Sequence, residues 1–447
     1  MNGQFGKKFT LFTATLMTGV LLTVSSASAV PGDLRRTPLL DTSAVVNSSY
    51  DVVVLGDSIS AGYELGFTEK SIPYGYAEHV YEQALFQGFR AQYNNYGVLG
   101  LTSNGLNKWL SAAALGENVS KDSVQSNLKD PRADEFFAKT DLLENHIREA
   151  ELILISIGGN DFLQYMDKLD PKTDVTTLPE SAQSELKSGL SSIISNYETE
   201  LSASLENIHK LAPNAKVIIS NQYLPVPFLK IKGVTTYLIP EATALLLKDG
   251  QTQLLKRLKS VITQYSAKKM DIKMADSASV VDTNILTYTN IDKGDPHPTA
   301  AGYAVMGKAY TEQLWGDYKT VKPRKSGVPI SVVVNGEEVI TKYSPVIKKG
   351  RTFIAIADIT DAIGAKRSWD GPTNTATIQL GERTVEITIG AKTIKIDGKT
   401  VPLNADPAYL QQFPGEKKTY VPLAALSEGL GLHVTYRDTL KTAFINN

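Results

Sequence analysis

One stretch constrains the fold more than any other: Asp51-Val52-Val53-Val54-Leu55-Gly56-Asp57-Ser58-Ile59-Ser60. Four apolar residues in a row, three of them β-branched, predict a short buried strand of a parallel sheet. The strand ends on Gly56, and a serine follows two residues later, ahead of Ala61 and Gly62, which predict the opening of a helix. A hydroxyl between a strand end and a helix start stands where open α/β sheets bind ligands. It also lies near backbone N–H groups suited to developing negative charge. A plain serine N-cap accounts for the same stretch equally well. The rest of the chain has to decide.

From Tyr50 to about Tyr318 short apolar strands alternate with amphipathic helices, the pattern of an α/β layer fold. Strands are expected at Ala91–Val98, Glu151–Ile157 and Lys216–Ser220, with an edge strand at Asp271–Ala275. Helices are expected at Tyr76–Phe86, Phe136–Ala150, Leu245–Tyr265 and Ala300–Leu314. A long helix carries Leu186, Leu190, Ile194, Leu201, Leu205 and Leu211 at helical spacing, a core-packing stripe. Gln164–Pro179 is polar and turn-rich and reads as a loop over a site. Lys319–Gly327 reads as an exposed linker.

The tail changes character. Val332-Val333-Val334 runs into Asn335-Gly336, a strand meeting a hairpin turn, and Thr384–Ile389 and Thr393–Gly398 read as further strands and turns. It also repeats itself: Thr352-Phe353-Ile354-Ala355-Ile356-Ala357 matches Thr419-Tyr420-Val421-Pro422-Leu423-Ala424. The same register aligns Gly364 with Gly431 and Trp369 with Tyr436. Each copy reads as strand, short helix, strand, so residues 328–447 form one α+β domain of two related units.

The N-terminus reads as an address. Lys7 and Lys8 precede a mostly apolar run from Phe9 to Val24, and Ala27-Ser28-Ala29 is a small-residue cleavage site. Residues 1–29 are therefore expected to be a signal peptide, with 30–49 an N-terminal extension. No later segment is apolar enough to span a bilayer. Export follows, and a secreted chain without cysteine fits a bacterium. The net charge of −1 over 447 residues gives no argument for nucleic acid or an anionic membrane.

A serine hydroxyl is a weak nucleophile until a base takes its proton, and that base is usually a histidine held by a carboxylate. Of five histidines, His79, His146 and His209 lie in helical patterns and His433 in the repeat domain. His297 alone stands in a rigid loop, with Asp295 two residues earlier and Pro296 restricting the link. Donors for an oxyanion are available from two strand-end loops, through the Gly100 N–H and the Asn160 amide. Each is explained singly as a turn residue; a shared location is not.

Gly56-Asp57-Ser58-Ile59-Ser60, Asn95-Tyr96-Gly97-Val98-Leu99-Gly100, Gly158-Gly159-Asn160-Asp161 and Asp295-Pro296-His297-Pro298 resemble the four blocks of the SGNH hydrolases, the GDSL-type esterases and lipases. They occur in the family's order across residues 50–318. The resemblance implies a flavodoxin-like three-layer α/β/α sandwich. It implies Ser58 as nucleophile, Asp295 and His297 as the rest of a triad, and Ser58, Gly100 and Asn160 as the oxyanion hole. Leu99 stands where many members carry a small polar residue, which leaves the backbone N–H of Gly100 available. The Gly-x-Ser-x-Gly elbow of the α/β-hydrolases is not met, because Ser60 occupies the last glycine position. The tail resembles the stalk module also called the copper amine oxidase N-terminal-like domain. One histidine and no cysteine do not make a typical copper site there.

The expectation is a secreted serine hydrolase that cleaves acyl esters through an acyl-enzyme, without metal or cofactor. An O-acetylesterase for acetylated polysaccharide and an inactive wall-binding surface protein are the competing readings. Residues 328–447 are expected to be a separate module, dispensable for chemistry, that contacts cell wall or polysaccharide.

Overall fold

The computed structural model describes residues 49–447 except 69, 167–168, 171, 225–227 and 232–233. The expected signal peptide lies outside the described residues. Seven strands occur in the first part of the chain: β1 (Tyr50–Gly56), β2 (Ala91–Gly97), β3 (Leu152–Ser156), β4 (Lys216–Ser220), β5 (Phe228–Ile231), β6 (Val234–Tyr237) and β7 (Ile272–Ala275). Five of them form one sheet in the order β2-β1-β3-β4-β7, and β5 and β6 pair as a separate hairpin. The pairs β1–β3, β3–β4 and β4–β7 run parallel, in registers such as Val53↔Ile153, Ile153↔Val217 and Val217↔Ile272.

Both faces of this sheet are covered, which is why its strands read as continuous apolar runs. Val53, Leu55, Ile153, Ile155, Val217 and Ile219 share one core with the helices Ser103–Leu115, Glu180–Leu211 and Glu241–Ala267. The alternate residues Val52, Val54, Leu152, Leu154 and Ile218 point to the other face and are equally buried. The helix Ala300–Leu314 lies against β4 and β7. Layers of helix, sheet and helix make the flavodoxin-like α/β/α sandwich, and its strand order is of the type that places ligands at strand C-terminal ends.

Three local expectations need correction. The chain after Ser58 makes a single closed turn rather than a helix. Tyr63 N–H donates to Ser58 O and Gly62 N–H to Ile59 O, the paired bonds of a Schellman cap, with Gly62 at φ 71° taking the left-handed position. The expected helix over Phe136–Ala150 is two helices, Ala133–Ala138 and Thr140–Glu149, broken at Lys139 (φ −119°, ψ 40°). The start of the expected loop is also helical, because the helix Gly159–Met166 begins within the third block and runs on past Gln164.

Residues in compact contact divide into two units. One comprises Asp51–Val80 and Tyr93–Asp317; the other joins Tyr81–Gln92, with Ser49 and Tyr50, to Tyr318–Asn447. The second unit is mainly β. Both repeats adopt strand, short helix, strand pair: Arg351–Ala355, Ile356–Ala362, Lys366–Asp370 and Thr375–Leu380 in the first, Glu416–Pro422, Leu423–Gly429, His433–Arg437 and Thr442–Asn446 in the second. Their leading strands pair antiparallel, with Ile354 opposite Val421, the same position of the two copies.

Within this unit Tyr81–Gln92 is held tightly. Arg437 Nε lies 2.9 Å from Glu82 Oε1, and Glu82 is 2% exposed. Gln83 accepts from Lys319 N–H at 2.7 Å and donates to its carbonyl at 2.8 Å. Asn446 Nδ2 donates to the carbonyls of Leu85 and Phe89, and Phe86 meets Phe444 edge to face. Removal of a buried ion pair's cation leaves a carboxylate stranded. Arg437→Ala is therefore expected to lower unfolding free energy by about 3 kcal/mol, measured by urea denaturation. A chain ending at Asp317 is expected to unfold at lower urea still; equal midpoints for the shortened and full chains would show that Tyr81–Gln92 needs none of these partners.

Candidate active site

Four segments meet at the C-terminal end of the sheet. β1 delivers Gly56, whose φ of 130° is open to glycine, and a Cβ there would stand 1.9 Å from Ser156 O. The missing side chain lets Asp57 N–H donate to Ser156 O at 3.0 Å as the chain leaves the sheet. Ser60 Oγ then donates to Leu55 O at 2.8 Å, and takes the Ser156 N–H at 3.2 Å. Tyr76 OH completes its shell at 2.9 Å. The turn carrying Ser58 is thus bonded to two strand ends.

His297 comes from a loop bonded on both sides. Asn290 N–H donates to His297 O at 3.0 Å, and Tyr223 OH donates to Pro296 O at 2.8 Å. The Tyr63 ring lies against the imidazole, with centroids 4.5 Å apart. In this position His297 Nε2 is 2.8 Å from Ser58 Oγ, and Nδ1 is 2.5 Å from Asp295 Oδ1. The same Asp295 oxygen accepts the His297 backbone N–H at 2.8 Å. With the carboxylate able only to accept, Nδ1 carries the proton and Nε2 is left as the acceptor for the serine O–H. Ser58, Asp295 and His297 are therefore brought together. His146 bonds Tyr96 OH at 2.6 Å instead.

The donor loops are braced by residues for which the sequence carried no signal. Asp130 Oδ2 accepts the Leu99 N–H at 2.8 Å, Arg132 donates to Gly97 O at 3.0 Å, and the two side chains pair at 2.7 Å. Gln125 donates to Gly100 O at 3.0 Å. Asn160 Nδ2 donates to Leu101 O at 2.9 Å, and Asp161 accepts from Ser103 N–H and Oγ at 3.0 and 2.6 Å. The third block is thereby tied to the second. The Ser58 and Gly100 N–H groups take no acceptor among the described residues, and one amide hydrogen of Asn160 is spare.

Two carboxyls near Ser58 have opposite tendencies. Burial alone would raise Asp295, but hydrogen bonds from the His297 side chain and backbone outweigh it and hold the carboxyl below its usual range. Asp57 is 1% exposed; burial pushes it up to about 7, the nearby Asp161 carboxyl adds to the rise, and the Ile59 N–H at 3.0 Å opposes it. Asp57 Oδ2 has no partner. The cleft in front of Ser58 is lined mainly by Ile59, Phe162, Leu163, Leu224 and Leu254, with Asn160 and His297 at its reacting end.

Residues 52–310 match the GDSL-like lipase/acylhydrolase family. The chain belongs to that family. Residues 333–445 of this GDSL-like acylhydrolase match the copper amine oxidase N-terminal domain. Copper does not fit that segment: it holds one histidine, His433, and no cysteine, and no metal-holding group of three His, Cys, Asp or Glu occurs among the described residues. No curated protein matches the sequence. Among solved structures, the lipase Lip_vut3 from a goat rumen metagenome is 17% identical (61% of this chain, 100% of that one, TM-score 0.39). The acetylxylan esterase Axe2 of Geobacillus stearothermophilus is 12% identical (62% and 99%, TM-score 0.34). Phospholipase A1 of Streptomyces albidoflavus NA297 is 15% identical (57% and 95%, TM-score 0.35).

The Asp57 environment has a measurable consequence. Its carboxyl titrates near 3.8 in the unfolded chain and near 7 when folded, so between these values the folded state holds the extra proton. Stability therefore falls as pH rises through that window. Asp57→Asn, which keeps an acceptor for Ile59 N–H, is expected to flatten the fall in melting temperature from pH 5 to pH 8. An unchanged slope in the variant would mean that Asp57 is ionised throughout.

Proposed function

We propose that this GDSL-like acylhydrolase is a secreted serine esterase or lipase that hydrolyses carboxylic esters through an acyl-enzyme. The observation that supports the reading best is the run of contacts from Ser58 Oγ to His297 Nε2 at 2.8 Å and from His297 Nδ1 to Asp295 Oδ1 at 2.5 Å. In this reading Ser58 Oγ attacks the ester carbonyl as His297 takes its proton, and Asp295 stabilises the imidazolium. The oxyanion is received by the N–H groups of Ser58 and Gly100 and the Asn160 amide. His297 then protonates the departing alkoxide, and a water activated by the same imidazole releases the acid. Residues 328–447 serve attachment or placement at the cell wall. Export rests on the Lys7–Ala29 pattern, and no helix among the described residues is long and apolar enough to cross a membrane.

Two measurements test the roles. Asn160→Ala is expected to lower kcat on p-nitrophenyl butyrate by roughly 10²–10³-fold with little change in KM, the cost of one oxyanion donor. Loss of stability with kcat retained would assign Asn160 a turn role only. In the wild type, kcat/KM is expected to fall at acid pH as the imidazole of His297 protonates and stops accepting the serine proton. A flat profile down to about pH 4 would remove histidine as the base.

A further inference from the structure

A second cavity adjoins the cleft at Ser58. Both cavities lie in the unit that carries the site, and they share Gln222, Gln251 and Leu254. Their linings differ in kind. The cleft is aliphatic and aromatic beyond its reacting end, through Ile59, Phe162, Leu163 and Leu224. The second cavity is mixed, with Asn221, Ser279 and a Lys248–Asp282 pair at 2.8 Å beside Leu255, Leu258 and Ala278. Gln251 spans the boundary, its Nε2 donating to Gln222 O at 3.0 Å. Of the three shared residues only Leu254 is apolar, and it is 4% exposed, so it presents an aliphatic surface to both cavities.

We propose that Leu254, backed by the Gln251–Gln222 bond, is the residue that sets acyl chain length in this enzyme. The proposal rests on the esterase reading above and specifies its substrate as an ester of a short to medium unbranched fatty acid. An acyl chain seated on Ser58 gains by filling the aliphatic cleft as far as Leu254. Growth beyond that point drives methylenes into the Leu254 side chain. Trimming Leu254 would join the cleft to the second cavity, where Leu255 and Leu258 offer a longer chain apolar surface beside the Lys248–Asp282 pair. The acyl group rather than the alcohol is assigned to this cleft because the alcohol must leave as the deacylating water enters, which a buried apolar seat opposes. Each methylene accommodated or refused in an apolar pocket changes kcat/KM by roughly 10–200-fold, so one leucine suffices as a stop.

The test uses the full chain and two ester series: p-nitrophenyl esters from acetate to dodecanoate, and acetates of alcohols from ethanol to dodecanol. Leu254→Ala is expected to raise the dodecanoate-to-acetate ratio of kcat/KM at least tenfold, and Leu254→Trp to lower the octanoate-to-acetate ratio by a similar factor. The alcohol series is expected to keep the wild-type profile in both variants. Leu254→Val serves as a milder truncation if the alanine variant does not fold. An unchanged acyl profile in the folded variants overturns the proposal, as does a shift confined to the alcohol series. A wild type inert on every ester overturns the esterase reading itself, which is a distinct result.

Discussion

The arrangement depends on the in-register parallel pairing of β1 with β3, from Val52↔Leu152 to Gly56↔Ser156. Every residue from Val52 to Leu55 and from Leu152 to Ile155 is fully buried, each contributing about 1.5–3 kcal/mol against exposure. The pairing ends where Gly56 meets Ser156 too closely for any side chain. Both chains then leave the sheet at the same level. Ser58 lies two residues beyond one strand end and Asn160 four beyond the other, so both reach the mouth of the same crevice. A slip of one residue would carry Gly56 away from Ser156 and place a Cβ-bearing residue against that carbonyl. The hydroxyl of Ser60, bonded to Leu55 O and the Ser156 N–H, holds the turn that carries Ser58 to this pairing rather than to the solvent-facing loops.

Electrostatics then sets apart two carboxyls, Asp295 two residues before His297 and Asp57 one residue before Ser58. Asp295 has the His297 N–H groups to accept from, and it stays ionised where a negative charge steadies an imidazolium. Asp57 directly precedes Ser58, accepts the Ile59 N–H, and is pushed towards neutrality by its burial. A second buried charge beside the oxyanion donors would oppose the charge that develops there. Environments that push two carboxyls apart are how one site keeps one ionised and one neutral.

The sheet was legible because β1, β3 and β4 are unbroken apolar runs ending in glycine or small polar residues, and such runs belong to strands covered on both faces. The repeat of the tail was legible for a different reason: two copies in one register repeat strand, helix and strand, and the pairing of Ile354 with Val421 follows from that symmetry. Gly158-Gly159-Asn160 looks in sequence like a strand-end loop, yet a helix opens at Gly159, since polar residues at a helix start look local while their partners are not. Asn160 bonds Leu101, 59 positions away in sequence. Asp130 and Arg132 were invisible for the same reason, being braces of a loop some thirty residues upstream. The grouping of Tyr81–Gln92 with the C-terminal residues had no local signal at all.

The central claim is that Ser58 carries the acyl group, and the most direct measurement is the mass of the enzyme during turnover. Acid-quenching within the first turnovers on p-nitrophenyl octanoate, followed by digestion and peptide mass spectrometry, is expected to show one octanoyl increment on the peptide containing Ser58. The increment should be absent from Ser58→Ala and should accumulate when water attack is slowed relative to acylation. An octanoyl group on another residue, or hydrolysis at wild-type rate by Ser58→Ala, would contradict the account.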